Sequence, residues 1–275
     1  MKILYISEIV GKAGVFAVKK LLPPLKKEKH IDFVIANADG TTGGYGLGRN
    51  HAGYLRKLGV DVLTTGDCCF YKKDLVQNFD RLHYVLRPLN ISPYAPGLGS
   101  RTYQVGSEKV AVAVLLGQGG FDRLHSDNPF IKLPELLERL RRETPYVIIE
   151  FHGATTAEKK ALFAEADGLC SAVIGSHGRV QTADARITRG GTATITDAGR
   201  TGSINSVGGT DAKSRIQEYI TGIPDWSRDA WDLIELQALI IDIAPNGKAT
   251  SISPLQLICQ EVPNEGDRKD TEHIR

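Results

Sequence analysis

The stretch YVIIEFHGATTAEKKALFAEADGLCSAVIGSHGRVQ, residues 146–181, constrains the fold more than any other part of the chain. Two short apolar runs, Tyr146–Glu150 and Ser171–Gly175, are rich in β-branched residues and do not alternate with polar ones, as strands covered on both faces should be. Each ends in a turn carrying one imidazole, His152 or His177. Between them Thr155, Thr156, Ala157 and Glu158 form a capping-box pattern that opens the helical stretch AEKKALFAEA. The unit reads strand, helix, strand, with both imidazoles on one edge of a parallel sheet. That edge is where open α/β sheets hold ligands. A lone buried histidine serves a core as readily as it binds a metal, but two at matching strand ends make a shared ion a specific alternative.

The remaining composition narrows the class. A chain of 275 residues that is 41% hydrophobic and 24% charged can bury a full core, and we expect one large α/β domain over residues 1–262 with a polar tail at 263–275. The net charge is only +2 and the signs are intermixed, so sequence-specific nucleic-acid binding is not expected. Basic runs such as LKKEKH (25–30) and LERLRRE (137–143) read as solvated helix faces. Cys68, Cys69, Cys170 and Cys259 show no CxxC spacing, which points to reduced thiols in a cytoplasmic protein. The N-terminus enters a strand directly and no apolar run approaches ~20 residues, so neither a signal peptide nor a membrane span is expected.

In chain order, strand Lys2–Ile6 leads into a turn, Ser7–Gly14, that carries Glu8, and then into a helix over roughly Val15–Lys27 with a kink expected at Pro23 and Pro24. Strand Asp32–Ala36 delivers Asp39 into the glycine-rich loop NADGTTGGYGLG (37–48). No Walker lysine follows and the dinucleotide fingerprint is out of register, so this loop reads as a pocket cover and not as a nucleotide-cofactor loop. A helix over Asn50–Leu58 precedes strand Asp61–Thr65, which ends in Asp67 and Cys68. The proline- and glycine-rich stretch Leu82–Arg101 carries the chain to a second sheet that starts with Thr102–Val105 and Lys109–Leu116. A helix over Leu133–Glu143, a hairpin across residues 182–199, a helix capped by Asp211, and antiparallel strands flanking PNG (245–247) complete the reading.

Five strand ends thus present Glu8, Asp39, Asp67, His152 and His177. Carboxylates and imidazoles on one rim suit a hard-to-borderline divalent metal able to polarise a phosphoryl oxygen. Each acid also has a structural reading: Glu8 and Asp39 as helix caps, Asp67 as a turn residue.

The blocks ILYISEIVGKAG, IANADGTTGGYG, TTGDCCFYKKD, EFHGATTAEK, VIGSHGRVQTADARI and TATITDAGRTGSINSVGG resemble, in order, those of the YmdB-like metallophosphoesterases of the calcineurin-like phosphoesterase superfamily. The resemblance implies a four-layer α/β sandwich flanked by helices, a two-metal centre of iron or manganese, and phosphodiesterase activity on 2′,3′-cyclic nucleotides. Several ligand positions depart from that pattern. Glu8 stands where the family has an aspartate, Asp39 and Gly40 where it has Glu-Asn, and Asp67 and Cys68 where it has Asn-His. His152 is kept, and the family's His-x-His is here His177, Gly178 and Arg179.

These departures imply at most one tightly held ion, at Asp39, Asp67, His152 and His177. Guanidinium is no ligand, so Arg179 removes a donor from the other position and is expected to pair with Glu8 and Asp39 in its place. One divalent ion plus Arg179 brings +3 against the carboxylates of Glu8, Asp39 and Asp67. Cys68 replaces the expected proton donor to the leaving group, and a thiol of pKa about 8.5 does this poorly. Two function classes follow: a slow metal-dependent phosphodiesterase using Cys68 and Arg179, or a pseudoenzyme that binds a nucleotide or a protein partner. A homo-oligomer is compatible with either.

Overall fold

The computed structural model describes residues 1–225 and 228–261, so the expected tail at 263–275 lies outside the described residues. The first half of the chain runs β1 (Lys2–Ile6), β2 (Glu8–Ile9), α1 (Gly11–Glu28), β3 (Phe33–Asn37), α2 (Arg49–Lys57), β4 (Val62–Thr64), α3 (Lys73–Val76), β5 (Val85–Leu86), β6 (Ser100–Val105) and β7 (Glu108–Leu116). It continues with α4 (Pro129–Glu143), β8 (Tyr146–His152), α5 (Thr156–Glu165), β9 (Ala172–Ser176), β10 (Arg186–Ile187), β11 (Ala193–Ile195), β12 (Arg200–Ser203), α6 (Ala212–Thr221), β13 (Ile234–Ile243) and β14 (Ala249–Ile258). Among the described residues these strands form two sheets, ordered β2-β12-β13-β1-β3-β4-β5 with β14 on β13, and β10-β11-β9-β8-β7-β6.

Both faces of the central strands are apolar because both are covered. Ile3, Tyr5, Phe33 and Ile35 point into the space between the sheets and meet Val112, Val114, Ile148 and Ile174. Their alternates Leu4, Ile6, Val34 and Ala36 pack against Phe16 and Leu22 of α1 and Leu55 of α2. On the far side Ala113, Val147, Ile149 and Phe151 meet Leu133 and Leu137 of α4 and Leu162 of α5. The order helix, sheet, sheet, helix gives the four layers. Strands β1, β3 and β4 are mutually parallel, as are β7, β8 and β9, so their C-terminal ends gather at common rims.

The chain departs from the sequence expectations at the starts of two helices. The turn expected over Ser7–Gly14 is shortened because Glu8 and Ile9 pair in parallel with Arg200 and Thr201, a partner about two thirds of the chain away. Helix α1 consequently starts at Gly11, and Pro23 and Pro24 both lie inside it. Helix α4 starts at Pro129, four residues early, because the Asn128 side chain accepts a hydrogen bond from the Phe130 amide and proline suits the first helical position. The expected caps Thr155 and Asp211 accept from the amides of Glu158 and Ser214.

Candidate metal centre

The register of β8 on β9 sets His152 opposite Ser176, so His177 follows one residue beyond the strand. The two imidazole rings are 5.0 Å apart, centre to centre. Asp67, in the turn after β4, brings Oδ1 to 2.8 Å from His152 Nε2 and 3.4 Å from His177 Nδ1, and the two ring nitrogens are 3.2 Å apart. Donors bonded at about 2.1 Å to one tetrahedral ion lie roughly 3.4 Å from each other, so this triangle fits a single ion. Asp39 lies just behind, its Oδ2 3.8 Å from His152 Nε2. Among the described residues the donor groups are Asp67, His152 and His177, and Asp39, Asp67 and Cys68, which share Asp67. Imidazoles with carboxylates suit iron, manganese or zinc.

None of the acids caps a helix. Helix α1 follows Val10 and α2 follows Gly48, neither with a side-chain cap. Asp39 instead accepts from the amides of Gly66 (2.6 Å) and Cys68 (3.1 Å), which ties the ends of β3 and β4 together. Gly66 permits this: a Cβ there would lie 2.3 Å from the His152 ring.

The charges are tightly packed. Burial, together with the charges of Asp67 and Glu8, pushes the Asp39 carboxyl up to about 7, even though His152 opposes the shift. Burial also opposes a charged His152, but the hydrogen bond to Asp67 and the charges of Asp39, Asp67 and Glu8 outweigh it and raise the imidazole to about 9. For Asp67, burial is overcome by hydrogen bonds from His152 and His177, and the carboxyl sits below its usual range. Burial and then the charges of Asp39, Asp67 and Glu8 drive the Cys68 thiol well above its ordinary value, and its Sγ lies 3.6 Å from Asp67 Oδ2.

Arg179 occupies the other side of the rim. Its Nε and Nη2 donate to Glu8 Oε1 at 2.9 and 2.6 Å, and Glu8 is only 2% exposed. The expected second partner is not used: Nη2 also donates to Gly44 O and Nη1 to Gly208 O, while Asp39 is taken up by backbone amides. Gly40 leaves room for this pair, since a Cβ there would fall 2.8 Å from Glu8 Oε1 and 2.9 Å from Arg179 Nη2. His177 and Arg179 both hold left-handed backbone conformations, φ 92° and 57°, a strain that non-glycine residues bear chiefly at functional turns. The turn is fixed by Asp197, which accepts from the Gly178 amide at 2.7 Å and from Lys159 Nζ at 2.9 Å.

Sequence reasoning missed Asp197, Lys159, Glu150, Ser176 and Phe121. The first four lie inside the blocks that carry the family resemblance, which singled out only the ligand positions beside them. Phe121, from the irregular segment after β7, stacks on His152 at 5.7 Å and meets His177 edge-on at 4.9 Å. The rim opens into a cleft of about 650 Å³ whose walls include Tyr45, Tyr71, Tyr219, Arg200 and Arg215.

Comparison with known proteins agrees with this fold. A model of the family described as YmdB-like protein matches residues 4–255. A 2′,3′-cyclic-nucleotide 2′-phosphodiesterase of Bacillus subtilis (strain 168) is 36% identical over 243 residues, spanning 88% of this chain and 91% of that protein. The crystal structure of a novel phosphatase of Mycoplasma pneumoniae superposes with a TM-score of 0.87 at 30% identity, covering 100% of this chain and 99% of that one. That of a hypothetical protein from Thermus thermophilus also gives 0.87, at 33% identity over 94% and 99%.

Proposed function

Because the chain belongs to the YmdB-like family of calcineurin-like metallophosphoesterases, we propose that it binds phosphodiesters of the 2′,3′-cyclic-nucleotide type at a single-ion centre and hydrolyses them weakly or not at all. The observation that carries this reading is the Arg179 guanidinium bonded to the buried Glu8, a fixed cation where a second ion would need donors. Asp39, Asp67, His152 and His177 would hold the one remaining divalent ion, manganese or iron. Such an ion, when bound, supplies Lewis-acid polarisation of a phosphoryl oxygen and lowers the pKa of a coordinated water.

The chain's own residues favour binding over turnover. Four of the five N–H groups of Arg179 are engaged by Glu8, Gly44 and Gly208, which leaves one N–H for a phosphate oxygen in the cleft. Tyr45, Tyr71 and Tyr219 offer faces for a base. Cys68, in the position of the leaving-group acid, is 7% exposed and its raised thiol holds its proton, so an alkoxide leaves unaided. That property favours the pseudoenzyme alternative for nucleotides with poor leaving groups. The reading takes residues 1–262 as one domain working in a reducing compartment, in keeping with four free cysteines. No helix of the described residues is long and apolar enough to cross a membrane.

The test is a side-by-side assay with the Bacillus subtilis relative. Manganese-loaded protein should bind 2′,3′-cyclic AMP in a calorimeter while turning it over at least about 100-fold more slowly, the effect expected for loss of a general acid. Equal turnover by the two proteins, or no binding in the presence of manganese, would refute the proposal.

A further inference from the structure

A buried polar chain links the two sheets beneath the metal centre. Glu150 on β8, Asn37 on β3, Thr64 on β4, Ser176 on β9 and His152 are each at most 2% exposed. Asn37 Nδ2 donates to Glu150 Oε1 at 2.6 Å, Thr64 Oγ1 donates to Oε2, and Ser176 Oγ donates to Oε1 at 2.8 Å. Ser176 Oγ also lies 3.0 Å from His152 Nδ1.

The proton positions in this chain follow from counting. Asn37 Oδ1 accepts from the Asp39 amide at 2.9 Å, which fixes the side-chain amide so that its NH₂ faces Glu150. An NH₂ group can only donate, so Glu150 Oε1 must be an acceptor, and this holds whether Glu150 is ionised or carries a proton on Oε2. Ser176 has a single hydroxyl proton and two neighbours within reach, Nδ1 at 3.0 Å and Oε1 at 2.8 Å; because Oε1 carries no proton, lone pairs would face each other across the shorter contact unless the hydroxyl turned to Oε1. Toward His152 the serine oxygen is therefore an acceptor, and the proton of that contact belongs to Nδ1. With Nδ1 protonated, the lone pair of a neutral imidazole is on Nε2, the nitrogen 2.8 Å from Asp67 and 3.2 Å from His177.

We propose that Glu150 is a positioning residue which, acting through Ser176, holds the His152 proton on Nδ1 and so presents Nε2 to a divalent ion shared with Asp67 and His177. It is a carboxylate–histidine–metal relay lengthened by one hydroxyl, and it rests on the single-ion reading above. A carboxylate bonded directly to the imidazole would fix the tautomer too, but here the acid lies two residues before the ligand on the same strand. Its side chain shares the inward face of His152. Ser176, opposite His152 on the neighbouring strand, spans the gap.

The test uses the full chain, zinc alone as the probe, and histidine-selective ¹⁵N NMR. In zinc-loaded protein His152 Nδ1 should carry a proton and Nε2 should not. Glu150→Gln, whose carbonyl oxygen can replace Oε1, should keep zinc affinity within about 3-fold. Glu150→Leu frees the Ser176 proton to turn toward Nδ1 and should weaken zinc binding by about 10–100-fold, the range seen when outer-shell partners of ligands are removed. Should Glu150→Leu fail to fold, Ser176→Ala is expected to show the same loss with an unchanged circular dichroism spectrum. An unprotonated Nδ1 in the wild type, wild-type affinity in Ser176→Ala, or equal losses in the Gln and Leu variants would overturn the relay. If the wild type takes up no zinc, the single-ion reading fails by itself. The relay is then judged on the metal-free protein at alkaline pH, where the imidazole is neutral and its one proton must be on Nδ1; a proton on Nε2 there overturns it.

Discussion

At the scale of single residues, Arg179 determines what this rim can hold. The guanidinium cannot give up its proton to become a ligand, and Glu8 holds it more firmly in the charged state despite burial. Removing it in Arg179→Ala leaves Glu8 buried with no cation, and breaking a buried pair in this way costs about 3–5 kcal/mol. Arg179 is itself 20% exposed, so we expect about 3 kcal/mol. Urea denaturation measures it, and the double variant Glu8→Gln with Arg179→Ala should recover part of the loss. An unchanged midpoint for Arg179→Ala would mean that the pair adds nothing to stability. The substitution of a histidine by arginine was visible in the sequence, and so was the glutamate that answers it. Which carbonyls would take the remaining nitrogens was not, because Gly44 and Gly208 lie in loops whose course no periodicity encodes.

Among the elements, the strand–helix–strand unit of β8, α5 and β9 was the most legible, since a capping box, two buried runs and two imidazoles agree. Short β2 was not legible, because two residues carry no pattern and their partner β12 is distant in sequence. The same limit hid the tie between α5 and the histidine turn. Lys159 on α5 has nothing in the sequence to set it apart from Lys160, yet it is 4% exposed and paired with Asp197. That pair should act as a unit with the turn at Gly178. Lys159→Met would strand a buried carboxylate still held by two backbone amides, those of Gly178 and Gly199, and should cost about 3 kcal/mol. The same variant should weaken manganese binding, since Asp197 would no longer be held where it fixes the His177 turn. Thermal unfolding with and without manganese separates the two effects, and a variant that loses neither would show Lys159 to be dispensable.

For the molecule as a whole, the clustered charges make stability depend on both pH and metal. His152 titrates near 9 in the folded protein, above its ordinary 6.5, so the stability it contributes is complete below about 6.5 and lost as pH rises through 9. Asp39, raised from 3.8 to about 7, acts in the same sense: the folded state keeps its proton longer, and the benefit fades between those values. Asp67, held below its usual range, contributes above about 4 and loses that contribution only in acid. Metal-free protein should therefore melt progressively lower from pH 6 to pH 9. Manganese, which replaces the proton on His152, should restore most of the loss at pH 9. A melting temperature that is flat or rising over this range with chelator present would contradict the charge assignments. The four layers were legible through the family resemblance, and the central strands agree with it because β1, β3, β7 and β8 are covered on both faces. The number of ions was legible only as far as donor chemistry goes, since it depends on where Arg179 points. The most direct test of that account is the metal content of protein loaded with manganese and dialysed, determined by elemental analysis against amino-acid concentration. One equivalent per chain is the predicted result, and two equivalents that persist through dialysis would contradict it.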